Sequence, residues 1–306
     1  DDLGTSYYFR GAVDNNWVKY GKYMTDVYYG WDDNNTIYSI SNSCDGLIEC
    51  KKVASKDADM YWRIIRLNGD NSIRMIYAGT NAPDANTKVN MTNVQTDIGE
   101  IGFDIFSNTA DYMYTKEETD DGTMLIQHGT TTDSHMKKYL DKWFATTSVY
   151  NDYITKNLLA DQIFCNDRTL STSSNGTPGE IESINMDSSN TYYYGAYLRI
   201  SGSSSNSKPS LLCSNANDKF TTTTSKGNGK LTYPVGLLTG DEANMAGGDN
   251  KHGKNSSYYL YTASDYWLGS PFWFESKHGV PFAITEFGEL AAYNGWDKRG
   301  ARPVSY

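Results

Sequence analysis

The sequence predicts a mixed fold of the α+β class, built mainly on antiparallel strands. Two runs rich in β-branched and aromatic residues, 61–67 and 72–77, flank an Asn-Gly-Asp-Asn turn. Residues 134–144 have the apolar periodicity of an amphipathic helix. Residues 258–306 predict closely spaced short strands separated by turns. These three observations together indicate the α+β class.

The N-terminal part of the chain is expected to supply the first strands. The runs 61–67 and 72–77 predict a hairpin, and residues 6–21 predict two short strands around a turn. Residues 24–56 are expected to be loop-like, with the Cys44 and Cys50 pair as a local staple.

Two helices are predicted in the middle of the chain. The helix over 134–144 has a polar cap residue in Asp133 or Ser134. A second helix is predicted over 151–164, where Ile154 recurs with two leucines at helical spacing. Both apolar stripes are typical of helices that face a core.

A strand followed by a capped helix is predicted later in the chain. Residues 192–200 predict a strand, and 231–248 predict a second strand that leads directly into a short helix. Thr239 and Glu242 have the spacing of a capping box, and Gly247 is placed to end the helix.

Composition and charge limit the classes of function. The 306 residues include 27 basic and 37 acidic side chains, a net charge of −10. Nucleic acid is therefore not expected as a partner, because binding its phosphates needs a basic surface. Aromatic residues make up 14% of the chain and can fill a core. No apolar run is long enough for a membrane helix, so membrane or pilus anchoring is expected only through a segment outside this sequence.

Four cysteines fall as two pairs along the chain, Cys44 with Cys50 and Cys165 with Cys213. An even number favours disulfides, which would place the protein outside a reducing cytosol. Free buried thiols and a zinc site are the alternatives. The chain has no Cys-x-x-Cys motif, and its four histidines lack a ligand spacing.

Five motifs carry a resemblance to a known family. They are WRIIRLNGD at 62–70, YLDKW at 139–143, GLLTGDE at 236–242, YWLGSP at 266–271 and GARPV at 300–304. In this order they resemble surface proteins of gut Firmicutes that have a C-type-lectin-like fold, of the formylglycine-generating-enzyme-like branch. The resemblance spans nearly the whole chain.

The resemblance implies one domain over 1–306, with a twisted antiparallel sheet core, two main helices and long loops. It also implies an extracellular location on the bacterial cell surface. The branch includes the variable proteins of diversity-generating retroelements, which display hypervariable residues on a C-terminal lectin-like scaffold. Residues 258–306 are then the expected display region of an adhesin-like protein, and an unidentified protein or carbohydrate is the expected ligand.

Large or charged side chains between 268 and 298 are the candidate ligand-binding residues. They are Trp273, Phe274, Glu275, Lys277, His278, Glu286, Tyr293, Trp296, Asp297 and Lys298. Aromatic anchors among polar neighbours dominate the energetics of binding surfaces.

Other aromatic residues and other functions were weighed against this interpretation. Core packing is expected for Trp267, Phe272, Phe282 and Phe287. No catalytic residue, metal or cofactor is expected, because the reactive cysteine pair of formylglycine-generating enzymes and the Glu-Pro-Asn motif of calcium-dependent lectins are both absent from the sequence. The alternative functions are a structural surface or pilus component without a dedicated ligand site, and a hydrolase with an unrecognised carboxylate pair.

Overall fold

The structure, a computed structural model, describes residues 1–32, 37–87, 89, 91–92, 94–103, 110–112, 115–117, 128, 133–174, 176–177, 179, 190–200, 208–250, 253–275 and 278–306. The strands are β1 (Tyr7–Tyr8), β2 (Trp17–Lys22), β3 (Val27–Asp32), β4 (Ile37–Ser41), β5 (Leu47–Ala54), β6 (Asp59–Leu67), β7 (Ile73–Tyr77), β8 (Glu100–Ile101), β9 (Ala110–Tyr112), β10 (Thr115–Glu117), β11 (Phe164–Cys165), β12 (Leu170–Ser171), β13 (Tyr192–Tyr194), β14 (Lys219–Phe220), β15 (Tyr266–Glu275), β16 (His278–Ile284), β17 (Leu290–Ala292), β18 (Arg299–Gly300) and β19 (Val304–Ser305). The helices are α1 (His135–Phe144), α2 (Ser148–Asn151), α3 (Tyr153–Lys156), α4 (Gly195–Ile200), α5 (Gly240–Ala246) and a 3₁₀ turn over Ala216–Asp218.

Antiparallel pairing dominates, which confirms the α+β class. An N-terminal sheet has the order β1-β6-β7-β19, with β2 also beside β6. A C-terminal sheet has the order β12-β13-β15-β16-β17, and β18 and β8 extend it from β15. The β15–β18 pair is parallel. A three-stranded sheet, β4-β3-β5, and the pairs β9–β10 and β11–β14 complete the described part.

The predicted N-terminal hairpin is confirmed. β6 and β7 pair with Leu67 opposite Ile73, so the turn falls at 68–71. Asn71 takes the left-handed conformation (φ 69°), which asparagine tolerates better than most residues. The two short strands predicted upstream are β1 and β2, and both pair with β6.

The end of the chain completes the same sheet. β19 pairs with β7, and Val304 lies opposite Ile76. The Arg302 side chain is 1% exposed and donates hydrogen bonds to the carbonyl oxygens of Leu260 and Tyr77, both at 3.2 Å. The Arg-Pro-Val sequence therefore connects the C-terminal region to the N-terminal sheet.

Residues 24–56 form a sheet, so the prediction of a loop was wrong. β3 lies between β4 and β5, with Trp31 opposite Tyr38. Buried positions follow one another at 29–30 of β3 and at 38–40 of β4 instead of alternating with exposed ones, so the period that identifies a half-buried strand is missing. The predicted disulfides are present: Cys44–Cys50 closes the connection from β4 to β5, and Cys165–Cys213 ties β11 to the segment before β14.

The first predicted helix is confirmed as α1. The Ser134 hydroxyl caps it by accepting a hydrogen bond from the Lys137 amide at 3.0 Å. Its apolar stripe is buried, and the Trp143 indole N–H donates to the Tyr23 hydroxyl at 3.0 Å.

The second predicted helix does not form as one core-facing element. Asp152 has an extended backbone, which ends α2, and its carboxylate then caps the single turn of α3. Ile154 and Leu158 are 71% and 67% exposed, so the predicted core contacts are wrong for these two residues, whereas Leu159 packs against the core.

The strand-to-helix prediction is confirmed for the helix. In α5 the Thr239 hydroxyl accepts from the Glu242 amide at 3.1 Å, and the Glu242 carboxylate accepts from the Thr239 amide at 3.0 Å. Gly247, at φ 126°, ends the helix. The preceding strand is reduced to a single bridge between Gly236 and Val304.

The strand predicted at 192–200 is half strand and half helix. β13 ends at Tyr194 and α4 begins at Gly195. A Cβ atom at position 195 would lie 2.7 Å from both the Asp167 carboxylate and the Thr169 hydroxyl, so the chain turns where only glycine fits.

The C-terminal strands differ from the prediction in two places. Residues 258–262 are buried but form no strand. Residues 269–271, whose Gly-Ser-Pro sequence predicts one of the turns, lie inside β15, where the register with β16 shifts on both sides of Pro271. Bulges are where a sheet tolerates proline, because its missing N–H costs no ladder hydrogen bond there.

Candidate functional site

The β15–β16 hairpin positions several of the predicted ligand-binding residues. Glu275 lies directly opposite His278, and Trp273 lies opposite Val280. Since side chains alternate along a strand, Trp273 and Glu275 point to the same side of the sheet, and His278 joins them as the cross-strand neighbour of Glu275. The Trp296 ring then contacts the His278 ring edge-on, at 5.0 Å between centroids.

Two tyrosines extend this surface. Tyr193 pairs with Trp273 across β13 and β15, and their rings are 6.4 Å apart. Tyr197, on α4, lies 5.0 Å from Tyr193 and 6.2 Å from Trp273. All three rings are partly exposed, and those of Tyr197 and Trp273 rest on Phe272, which is buried.

We call this surface the hairpin face. It consists of Tyr193, Tyr197, Trp273, Glu275, His278 and Trp296. Sequence reasoning missed the two tyrosines, because their segment looked like an ordinary strand. The sequence signal that could have identified them is the unusual density of tyrosine in YYYGAYL, a run interrupted by a glycine.

Trp273 differs from the buried tryptophans in its hydrogen bonding. The indole N–H groups of Trp62, Trp143 and Trp267 each have an oxygen acceptor, at 2.8, 3.0 and 2.6 Å. The Trp273 indole N–H has no acceptor in the described part of the chain. A buried indole usually finds a partner, so the setting of Trp273 is unlike that of a core tryptophan.

Three of the remaining candidate residues, Glu286, Tyr293 and Asp297, form a second group around Arg299. The guanidinium lies 3.3 Å from the Tyr293 ring centroid and 3.1 Å from the Asp265 carboxylate. Asp297 is its more distant acidic partner, at 3.9 Å. Glu286 joins the group through its amide, which donates to Asp265 at 2.5 Å.

The hairpin face and the Arg299 group lie at different places on the hairpin. Glu286 follows the end of β16 that is remote from the turn, whereas Glu275 and His278 flank the turn. At about 3.3 Å per residue, Glu286 is roughly 25 Å from that turn. The predicted residues therefore divide into two surfaces connected by the segment 296–299.

Two aromatic predictions need correction, and one residue lies outside the described part. Phe274 is 1% exposed, because it points to the side of β15 opposite Trp273, so the expectation of surface display was wrong. Phe287 is 52% exposed in the turn after β16, so the expectation of core packing was wrong. Trp267 and Phe282 are buried as expected. Lys277 is not among the described residues.

Charged side chains also cluster inside the protein. Glu242 accepts from Arg66 at 3.0 Å and from Arg74 at 3.1 Å, and all three side chains are at least 90% buried. Burial opposes the ionised form of Glu242, but the two guanidinium groups outweigh it and lower the pKa of this carboxyl. The neighbouring cavity measures about 40 Å³, which holds roughly three waters.

A second internal ion-pair group lies beside the first. Arg199 donates to both oxygens of Asp241, at 2.8 and 2.7 Å, and to Asp167 at 2.6 Å. Burial nevertheless raises the pKa of Asp241 above its ordinary value. The arrangement joins α4 to the start of α5, so a scaffold role accounts for these charges.

Two further findings concern metals and membranes. Among the described residues, no three His, Cys, Asp or Glu side chains converge as metal ligands would. Over the same residues, no helix has the length and apolar character needed to cross a membrane.

Comparison with known proteins adds no relative. No protein-family model, no curated protein and no solved structure matches this chain.

Proposed function

We propose that this protein is a non-catalytic, extracellular ligand-binding protein, adhesin-like in character, that uses a C-type-lectin-like scaffold to display a variable surface on its C-terminal loops. The observation that carries the proposal is the hairpin face. It places three partly exposed rings, a carboxylate and a histidine on one side of a rigid hairpin.

The composition of the hairpin face suits binding. Tryptophan and tyrosine supply large contact area at a small cost in conformational entropy, and they are enriched among residues that dominate binding energy. Glu275 is held by a hydrogen bond from the Thr191 hydroxyl at 3.2 Å, so its position is fixed before a ligand arrives. Preorganisation of this kind lowers the entropic cost of association.

The two disulfides support an extracellular location, because such bonds persist in oxidising compartments. The five sequence motifs support the C-type-lectin-like assignment.

The proposal of a variable surface predicts where natural variation falls. Among near-identical gene copies, differences should concentrate at Trp273, Glu275, His278 and Trp296, whereas variation spread evenly over the chain would contradict it.

A binding experiment tests the proposal directly. The protein is applied to arrays of extracellular proteins and of glycans, and each hit is measured again with Trp273→Ala and Tyr193→Ala. Each variant should weaken binding at least tenfold, because it removes a central ring. Tyr153→Ala is the matched control, since Tyr153 is 82% exposed and lies on α3, outside the hairpin face. Equal binding by all variants would overturn the proposal.

A structural surface or pilus component is the second candidate, and one observation favours it. Tyr153, Ile154 and Leu158 expose 82%, 71% and 67% of their surface within six positions of the chain. Clustered exposed apolar side chains often mark protein contacts. This candidate predicts concentration-dependent self-association in sedimentation experiments that Ile154→Ser abolishes and Trp273→Ala leaves unchanged.

A further inference from the structure

Lys298 occupies a site built from two aromatic rings of a different sheet. Its ammonium nitrogen lies 4.6 Å from the Trp31 ring centroid and 4.7 Å from the Tyr38 ring centroid. The two rings are direct cross-strand partners on β3 and β4, with centroids 4.1 Å apart. We call Trp31 and Tyr38 the aromatic pair.

The aromatic pair is part of the folded scaffold. Tyr38 is 9% exposed and Trp31 packs against the core. Tyr29 continues the row, with its ring 6.5 Å from that of Tyr38. Backbone pairing on both sides of β3 fixes the row. These rings therefore keep their place whatever residue stands at 298.

The electrostatics of the aromatic pair favour a cation. The face of an aromatic ring carries the negative part of its quadrupole and attracts ammonium groups within about 6 Å. Charges of both signs lie around the neighbouring Tyr29: burial raises the pKa of its phenol, the Lys51 ammonium opposes that rise, and Glu100 and Asp97 add to it. An ammonium at the pair is thus favoured by the faces of the two rings.

Among the described residues, the Lys298 ammonium contacts only the two rings. It is exposed, and no acidic side chain of the described residues forms an ion pair with it. An exposed cation–π contact contributes about 0.5–1 kcal/mol, so a ligand could displace this side chain at modest cost. Trp296, two positions before Lys298, belongs to the hairpin face through its contact with His278, so the segment that carries Lys298 borders the proposed binding surface.

We infer that the aromatic pair of Trp31 and Tyr38 is a subsite for an alkylammonium group of the ligand, and that Lys298 fills this subsite in the free protein. The inference rests on the proposed function for its place in a binding surface. Lys298 is the internal competitor, and the residue at position 298 sets whether the subsite is open. If position 298 varies among gene copies, a lysine there would fill the subsite and a smaller residue would leave it open to a cation.

The experiment compares wild type with Lys298→Ala, using tetramethylammonium and choline as probes. Binding is followed through the Trp31 indole resonance, assigned with Trp31→Phe. The variant should bind choline at least threefold more tightly than wild type, because the tethered competitor is gone. Lys138→Ala is the matched control: Lys138 is equally exposed, lies on α1, and should leave the affinity unchanged.

Further arms separate cation recognition from hydrophobic contact and identify the source of the ammonium. The neutral isostere 3,3-dimethylbutan-1-ol should bind Lys298→Ala at least threefold more weakly than choline. Trp31→Phe added to Lys298→Ala should weaken choline binding, since phenylalanine is the poorer cation–π partner; calorimetry measures this variant, which lacks the Trp31 resonance. Nα-acetyl-lysine amide, whose side-chain ammonium is free, tests whether a protein supplies the ammonium group. Choline tests whether a lipid headgroup supplies it.

Two results would overturn the inference: equal choline affinity in wild type and Lys298→Ala, or equal affinity of Lys298→Ala for choline and its neutral isostere. Either result leaves the proposed function standing if Trp273→Ala still weakens partner binding. Loss of the effect of Trp273→Ala, with choline binding intact, would instead reject the proposed function and keep the subsite.

Discussion

The surroundings of Trp143 and Trp273 show how the same residue type serves two purposes in one chain. Trp143 is fully buried, packs against Trp62 and Tyr77, and donates its N–H to Tyr23. Trp273 is partly exposed, packs on Phe272, and has no acceptor for its N–H among the described residues.

This difference separates scaffold from surface. Around Trp143, every feature lowers the free energy of the folded state: burial, edge-on ring contacts and a satisfied donor. Around Trp273 the folded state leaves a buried indole N–H unpaired and ring surface in water, and both cost free energy; a ligand that covers the ring would remove the second cost. Residues near Trp143 should therefore govern stability, and residues of the hairpin face should govern binding.

The largest effect on stability is expected at the internal ion pairs. Glu242→Ala removes the carboxylate that Arg66 and Arg74 share and leaves two buried guanidinium groups without it. Breaking a buried pair from one side costs about 3–5 kcal/mol. Urea unfolding should show this loss, whereas Glu286→Ala, at an exposed glutamate, should change the unfolding free energy by less than about 0.5 kcal/mol. Similar values for the two variants would contradict the assignment of Glu242 to the scaffold.

The tryptophan comparison can be measured directly. Trp143→Ala should destabilise the protein by about 3–5 kcal/mol, because it opens a large cavity in the aromatic core. Trp273→Ala should cost about 1 kcal/mol, since its ring is only partly buried and loses no hydrogen bond. Thermal and urea unfolding of both variants check this. Equal losses would make Trp273 an ordinary core residue and remove the main support for the hairpin face.

The sequence predicted local elements well where local chemistry decides them. The hairpin turn at 68–71, the Ser134 cap and the capping box of Thr239 with Glu242 depend on neighbouring residues and were all confirmed. The sheet at 24–56 was missed because burial of consecutive residues hides the strand period.

The candidate site was predictable only in part, because it is assembled from distant segments. Trp273, Glu275 and His278 lie near each other in sequence, but Tyr193 and Tyr197 join them only through the pairing of β13 with β15. Lys298 and Trp31 are separated by most of the chain, and no local sequence pattern predicts their contact. The helix predicted over 151–164 failed for the opposite reason: a capping residue, Asp152, ended one helix and began the next.

The smallest expected effect is a loss of folding stability at low pH, and it should come from the scaffold and not from the hairpin face. Burial, together with the charges of Lys138 and Lys142, lowers the pKa of His135 to about 4, against an ordinary value of 6.5. Between these two values the unfolded chain binds a proton that the folded protein does not, so stability is lost as the pH falls from 6.5 towards 4. With a discount for partial exposure, the loss attributable to His135 is about 1 kcal/mol.

His135→Asn isolates this contribution, because asparagine does not titrate. The difference in unfolding free energy between wild type and variant should be constant above pH 7 and should shift by about 1 kcal/mol in favour of the variant by pH 4. Ligand binding at pH 7 should be the same for both proteins, since His135 lies on α1, away from the hairpin face. A difference that stays constant over the whole pH range would show that His135 titrates alike in the folded and unfolded chains.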